Sequence, residues 1–164
     1  MRKNHLNPEL DDVDLSILRH LQEDGRISNA RLAEKLSLSE TPCWRRLKRL
    51  EAEGYIEGYQ ANLNRRKLGY GVLAFVQLSV SIHTDEATAR FENVVRSCPE
   101  VIACHNITGQ ADFLLQVVVP DLRGYDRFLT GCLLKIPGVS DIRSNFAIHT
   151  VKTPGPLPLG HLPG

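Results

Sequence analysis

Residues 28–54 read SNARLAEKLSLSETPCWRRLKRLEAEG. The stretch predicts two short helices joined by a tight turn. Ser28 can cap the first, and Leu32, Ala33 and Leu36 then share one face at helical spacing. Ser37-Leu38-Ser39 forms the turn, with Leu38 buried between the helices. Ser39 can cap the second helix. Pro42 lies in its first turn, where the backbone has no intrahelical N–H bond to lose. Cys43, Leu47 and Leu50 recur at i, i+4, i+7, and at about 100° per residue they form one apolar face. Thr41, Arg45, Lys48 and Arg49 point roughly the other way, with Trp44 and Arg46 on the flanks. Gly54 stops the helix.

Arg45, Arg46, Lys48 and Arg49 place four cations in five residues, and no acidic residue interrupts 41–50. A merely solvated helix face usually laces its cations with acids at i,i+4. A short helix, a three-residue turn and a basic helix form the layout of a helix-turn-helix, whose second helix enters the major groove of DNA. Its cations can there meet phosphates and guanine edges. The expected partner is double-stranded DNA, and the expected contact residues are Thr41, Trp44, Arg45, Arg46, Lys48 and Arg49.

The 164 residues suffice for one domain or two small ones, and the formal net charge is only +1. A basic surface must therefore be local, with the rest of the molecule offsetting it. No stretch approaches a transmembrane span and no apolar signal region opens the chain, so a cytosolic protein without a membrane partner is expected. Cys43, Cys98, Cys104 and Cys132 contain no C-x-x-C pair. Two fall on predicted apolar helix faces, which suits free buried thiols in a reducing compartment. Cys104-His105, with Cys98 nearby, fits no common zinc spacing. No metal and no cofactor are expected.

Residues 1–9 read as a mobile arm. A first helix is predicted over 11–22, capped by Asp11 or Asp12, with Ile17, Leu18 and Leu21 as its stripe. Asp24-Gly25-Arg26 is a turn. After Gly54, Tyr55 to Ala61 alternates and predicts a short strand. Residues 63–71, with Arg65-Arg66-Lys67 and two glycines, read as a linker whose basic triplet is either a phosphate contact or a solvated hinge. From Val72 the period changes. Ala74, Val76, Leu78, Val80 and Ile82 alternate as a strand, and a helix over 85–97 carries Ala87, Phe91, Val94 and Val95 on one face. Strands follow over 101–108 and 112–119. Asp121 can cap a helix reaching to about residue 135, ended by Pro137-Gly138, and the last strand covers 141–151. The order is strand-helix-strand-strand-helix-strand, the ferredoxin-like plan. The fold class is α+β, with a DNA-binding domain and linker over 10–71, a ferredoxin-like βαββαβ domain over 72–152 and an irregular Pro/Gly tail over 153–164.

Two helices cover only one face of such a sheet. The opposite faces of the first and third strands are apolar too, since Leu73 and Phe75 oppose Ala74 and Val76, and Leu114 and Val118 stand back to back with Phe113, Leu115, Val117 and Val119. A second copy of the sheet is the economical cover, so a homodimer is expected. Two-fold symmetry also suits a protein reading paired half-sites.

With both halves read, the chain resembles the Lrp/AsnC family of transcription regulators, the feast/famine proteins. The marks are LDDVDLSILRHLQEDGRISNARLAEKLSLSETPCWRRLKRLEAEGYIEGY over 10–59, PEVIACHNITGQADFLL over 99–115, and the run IPGVSDIRS. The resemblance implies a winged-type helix-turn-helix, a strand-containing linker and a ferredoxin-like domain that dimerises, assembles into octamers or related rings, and binds a small effector, usually an amino acid. Glu40 stands where the family frequently has proline. It suits the helix dipole but lies near DNA phosphates, which bears on sequence preference rather than fold.

The resemblance places the effector at Thr108, Gly109, Gln110, Ala111 and Asp112. Gly109 lets the backbone turn so that successive N–H groups converge on a carboxylate. Asp112 can pair with an α-ammonium group, and Thr108 and Gln110 offer neutral hydrogen bonds. The same residues also read as a plain hairpin turn with Asp112 in solvent. Some proteins resembling the family are decarboxylases of sirohaem-type tetrapyrroles, which would use pocket histidines and would not need a basic recognition helix. His83, His105 and His149 are available, but the intact basic helix favours a regulator. No G-x-S-x-G, phosphate loop or H-E-x-x-H is present, and no catalytic residue is assigned. A DNA-wrapping architectural protein without an effector would share these sequence features.

Overall fold

A computed structural model of the chain describes residues 10–81 and 84–161. The expectations for 1–9, for Ile82 and His83, and for 162–164 lie outside the described residues. The chain divides into two compact units. One is built from the chain up to Asn62 and from Lys152 onward, the other from Leu63–Val151.

The first unit holds α1 (Asp12–Glu23), α2 (Asn29–Lys35) and α3 (Glu40–Ala52). Asp11 caps α1 and forms a reciprocal box with Asp14, each side chain accepting from the other's backbone N–H. Ser28 caps α2 by accepting from the N–H of Arg31. In the turn Ser37 takes φ +54°, and Leu38 donates back to the Ala33 carbonyl at 2.9 Å, which swings α3 across α2. Ser39 occupies the N-cap of α3, but its hydroxyl makes no capping bond, contrary to expectation. Ile17, Leu32, Ala33, Cys43 and Leu50 are buried between the helices, with Leu18, Leu21, Leu36, Leu38 and Leu47 around them. The predicted apolar stripes thus supply the core. Gly54, at φ +78°, ends α3. The Tyr55 N–H reaches the Leu50 carbonyl and the Gly54 N–H the Glu51 carbonyl, the paired bonds of a left-handed helix stop.

The strand predicted over 55–61 is absent. The segment alternates, but no strand lies beside it among the described residues, and an extended segment without a ladder partner is a loop. The irregular tail is tied down at one point. The Gln22 amide accepts from the Leu157 N–H at 2.5 Å and donates to its carbonyl at 3.3 Å, and a single 3-10 turn follows at Leu159–His161.

The second unit runs β1 (Val72–Val80), α4 (Asp85–Ser97), β2 (Val101–Asn106), β3 (Phe113–Val119), α5 (Leu122–Gly131) and β4 (Val139–Phe146). The sheet order is β2-β3-β1-β4 with every pair antiparallel, the ferredoxin-like plan. Thr84 and Asp121 cap α4 and α5. The helix expected to reach residue 135 stops at Gly131 and continues as a 3-10 turn, Leu133–Lys135. The last strand starts and ends earlier than predicted, because its register is set by β1, whose Ala74 pairs with Phe146 and whose Val80 pairs with Val139. Ala74, Val76, Leu78, Leu115, Val117 and Val119 line the helix-covered face with Phe91, Tyr125, Phe128 and Leu133.

On the other face the uncovered surface is narrower than expected. Leu73 and Val118 are already buried within the chain, while Phe75 is 37% exposed. Arg65 of the linker folds back, its guanidinium donating to the carbonyls of Tyr70 at 2.8 Å and Gly71 at 3.1 Å. It therefore pins the linker.

One cysteine expectation is corrected. Cys98 and Cys132, which cap the C-terminal ends of α4 and α5, are paired as a disulfide, whereas Cys43 is free and buried and Cys104 is free and exposed. The two caps lie 34 residues apart in sequence and meet only through the packing of the helices. No helix among the described residues is long and apolar enough to cross a membrane.

Candidate functional site

The four cations of α3 have different fates. Arg46 donates to Asp11 Oδ2 at 2.6 Å and to Asp14 Oδ1 at 2.9 Å. Arg49 pairs with Asp14 Oδ2. Asp14 is 0% exposed, the only fully buried charged residue among the described ones. A buried carboxylate is tolerable only if paired and hydrogen-bonded, and Asp14 meets that condition. Two guanidinium groups and the Asp11 N–H reach it. The Asp11 and Asp14 carboxylates hold the Arg46 guanidinium above its usual range, and Asp14 does the same for Arg49. The Asp14 N–H, with Arg46 beside it, holds the Asp11 carboxyl below its ordinary 3.8.

Arg46 and Arg49 thus pair with acids at the start of α1, with side-chain exposures of 32% and 36%. Both turn toward α1. A helical projection separates an apolar face from a polar one, but it cannot show that a neighbouring helix buries an acid opposite the polar side. Nothing local in the sequence marks Asp14 as that acid. The available signal is indirect: an Asp in the first turn of one helix and an i,i+3 arginine pair on another.

Of the expected contact residues, α3 exposes Thr41, Trp44, Arg45 and Lys48, with Glu40 exposed at its start. Trp44 is 53% exposed, a large apolar group left on a polar surface. Arg45 has no hydrogen bond or ion pair among the described residues. Lys48 pairs with Glu51 Oε2 at 2.6 Å, and the Tyr59 hydroxyl donates to Glu51 Oε1 at 3.0 Å.

The second candidate region is the β2–β3 hairpin. The Ile107 N–H donates to the Asp112 carbonyl at 2.9 Å and closes the loop Thr108-Gly109-Gln110-Ala111. Gly109 takes φ +118°, a conformation that side chains rarely adopt. The N–H groups of Thr108 to Ala111 find no acceptor among the described residues. Asp112 is not simply solvated. It is half-buried, and its Oδ2 accepts from the Val80 N–H at 2.8 Å, where β1 slips register against β4. The other oxygen has no hydrogen-bond partner among the described residues. Gln110 is held by Arg143 Nη1 at 3.3 Å, and Arg143 in turn by Asp141 at 2.8 Å. Gln77, Ser79, Gln110, Ala111, Asp141 and Arg143 surround a recess that leaves no room for water within one chain. No grouping of His, Cys, Asp and Glu among the described residues is placed to hold a metal ion.

Comparison with known proteins bears on both regions. Residues 10–57 match a winged helix-turn-helix DNA-binding model, and residues 73–157 match the Lrp/AsnC ligand binding domain. The chain is 46% identical over 151 residues to the Bkd operon transcriptional regulator of Pseudomonas aeruginosa, covering 92% of this chain and 99% of that protein. It is 39% identical over 150 residues to the leucine-responsive regulatory protein of Escherichia coli, covering 92% of each. A transcriptional regulator from Neisseria meningitidis, solved as a complex with L-Met, superposes with a TM-score of 0.88 at 39% identity over 93% of this chain and 99% of that one.

Removing Asp14 takes from the partly buried Arg49 its acid and leaves Arg46 with Asp11 alone. Asp14→Ala should lower stability by about 3–5 kcal/mol in urea titrations and weaken DNA binding with it. A loss under about 1 kcal/mol would show that the cluster is dispensable. Asp11 has a depressed folded-state value. Its contribution is thus complete above 3.8 and is lost as pH falls through the lower folded value. Asp11→Asn retains a capping side chain and should flatten the acid limb of the urea midpoint plotted against pH. An unchanged acid limb would remove Asp11 from the account.

Proposed function

This chain belongs to the Lrp/AsnC family of transcriptional regulators, and on that footing we propose that it binds double-stranded DNA through the solvent face of α3 and responds to an amino-acid effector held at the β2–β3 loop. The observation that carries the DNA reading is the exposure of Thr41, Trp44, Arg45 and Lys48 on the helix after the turn, while Arg46 and Arg49 pair with Asp11 and Asp14. Arg45 is the cation best placed for a guanine edge, because it has no protein partner to give up. Lys48 supplies a phosphate contact, Thr41 a hydroxyl, and Trp44 apolar contact with a thymine methyl. Arg46 and Arg49 act by fixing the angle at which α3 leaves α1.

The effector reading rests on the four unsatisfied N–H groups around Gly109 and on the carboxylate of Asp112 just beyond them. Backbone N–H groups in such a turn suit a carboxylate, and a carboxylate suits an ammonium. Together they form the recognition elements of a free α-amino acid. The recess beside the loop is too small for a ligand within one chain, and on this reading a second copy completes the site. This agrees with assembly through the sheet face that exposes Phe75. A regulator fits these features better than an enzyme does, since the cations gather on α3 while His105 and His149 stand exposed and apart.

Arg45→Ala should weaken binding to the native promoter by about 1–3 kcal/mol and narrow its margin over a scrambled duplex. Wild-type affinity in fluorescence anisotropy would overturn the recognition-face assignment. For the effector, Asp112→Asn keeps an acceptor for the Val80 N–H and removes only the charge. Calorimetry against the twenty amino acids should identify one ligand of the wild type and show about a tenfold or greater loss for the variant. Equal affinity would place the ammonium partner elsewhere.

A further inference from the structure

Arg45, Lys48 and Glu51 follow one another at i, i+3, i+6 and so lie along one stripe of α3. The exposed stripe therefore ends in an acid. Glu51 does not hang free. Its Oε2 receives the Lys48 ammonium at 2.6 Å, and its Oε1 accepts the Tyr59 hydroxyl at 3.0 Å. With one oxygen held by the phenol, the other is turned to Lys48. Glu51 is the less exposed partner, with a side-chain exposure of 26% against 52% for Lys48. The hydrogen bond from Lys48, then that from Tyr59, holds its carboxyl below the usual glutamate range. Tyr59 is pushed up to about 12 by burial and by the Glu51 carboxylate, so it remains a donor at neutral pH.

Building on the reading of α3 as the DNA-contacting helix, we propose that Glu51, positioned by Tyr59, acts as an internal counter-anion for Lys48 and sets how strongly this helix grips the DNA backbone. In the free protein Glu51 occupies the place a phosphate oxygen would take on the ammonium. DNA must draw Lys48 away from it before the ammonium can meet a phosphate. The device weakens sequence-independent attraction while leaving Arg45 untouched, which widens the margin for base-specific contacts. Tyr59 lies beyond the end of α3, in the segment that leaves the helix-turn-helix, so a rearrangement of that segment would loosen Glu51 and change the grip.

The test uses the full-length protein and a labelled duplex of arbitrary sequence, with affinity measured over a series of KCl concentrations. Glu51→Gln retains hydrogen bonding to Tyr59 and loses only the charge. It should bind about two- to fivefold tighter, as release from an exposed ion pair implies. The slope of log affinity against log salt should steepen by about one. Tyr59→Phe should tighten binding by a smaller factor and raise the Glu51 carboxyl in an NMR titration. In a Lys48→Ala background, Glu51→Gln should add nothing. Glu53→Gln removes an equal charge away from Lys48 and is the control for general electrostatics. The inference is overturned if Glu51→Gln leaves affinity and slope unchanged, or if its gain persists without Lys48 or is matched by Glu53→Gln. The two readings fail separately: Arg45→Ala and Lys48→Ala binding like wild type would sink the DNA face itself, whereas losses in both with no effect of Glu51→Gln sink only the counter-anion.

Discussion

The DNA-binding unit is organised around a carboxylate that has left water. Asp14 is fully buried, yet the apolar cluster beside it has only five fully buried members among the described residues. A charge in that position costs several kcal/mol unless its lone pairs are filled. Arg46 and Arg49 fill them from α3, and the backbone of Asp11 adds a further donor. Apolar packing by Leu32, Cys43 and Leu50 brings the helices together but allows some sliding. Directional bonds to a buried acid do not, and they orient the face that α3 turns outward. Thr41, Trp44, Arg45 and Lys48 are presented together because the opposite side of the helix is anchored.

That anchoring changes how the charge of α3 should be counted. Four cations in five residues suggest a strongly basic surface. Two are neutralised by Asp11 and Asp14, and a third is balanced by Glu51. Among the described residues, Arg45 alone of the four stands without an acid. This agrees with a chain whose formal charge is only +1. Long-range attraction to DNA scales with the phosphates that are neutralised. A helix with one free cation relies on close, specific contacts and on the number of copies engaged at once.

In the second unit the organising constraint is geometric. Two helices cover one face of a four-stranded sheet, and the central strands carry apolar residues on both faces. The chain itself buries Leu73 and Val118 and leaves Phe75 exposed. At one end of the sheet, β1 slips register at Ser79/Val80, and the freed Val80 N–H is taken by Asp112. The carboxylate that an effector would use is therefore also a fastener of the sheet.

Sequence alone determined whatever depends on local periodicity and caps. The helices around Ile17, Leu32 and Leu50, the helix over 85–97, the strand-helix order of the second unit and the turn at Gly109 were all legible, because each follows from residues within a few positions of one another. Exposure of Trp44, Arg45 and Lys48 was legible for the same reason. Tertiary structure decided the rest. Residues 55–61 alternate like a strand but lack a partner to pair with. The limits of β4 follow the register of β1, 59 and 72 residues earlier at its two ends. Cys98 and Cys132 pair because two helices dock on one face. Arg46 and Arg49 pair with a buried acid 32 and 35 residues away. Periodicity records which side of an element avoids water, whereas the partner of a charge depends on which distant element is packed against it.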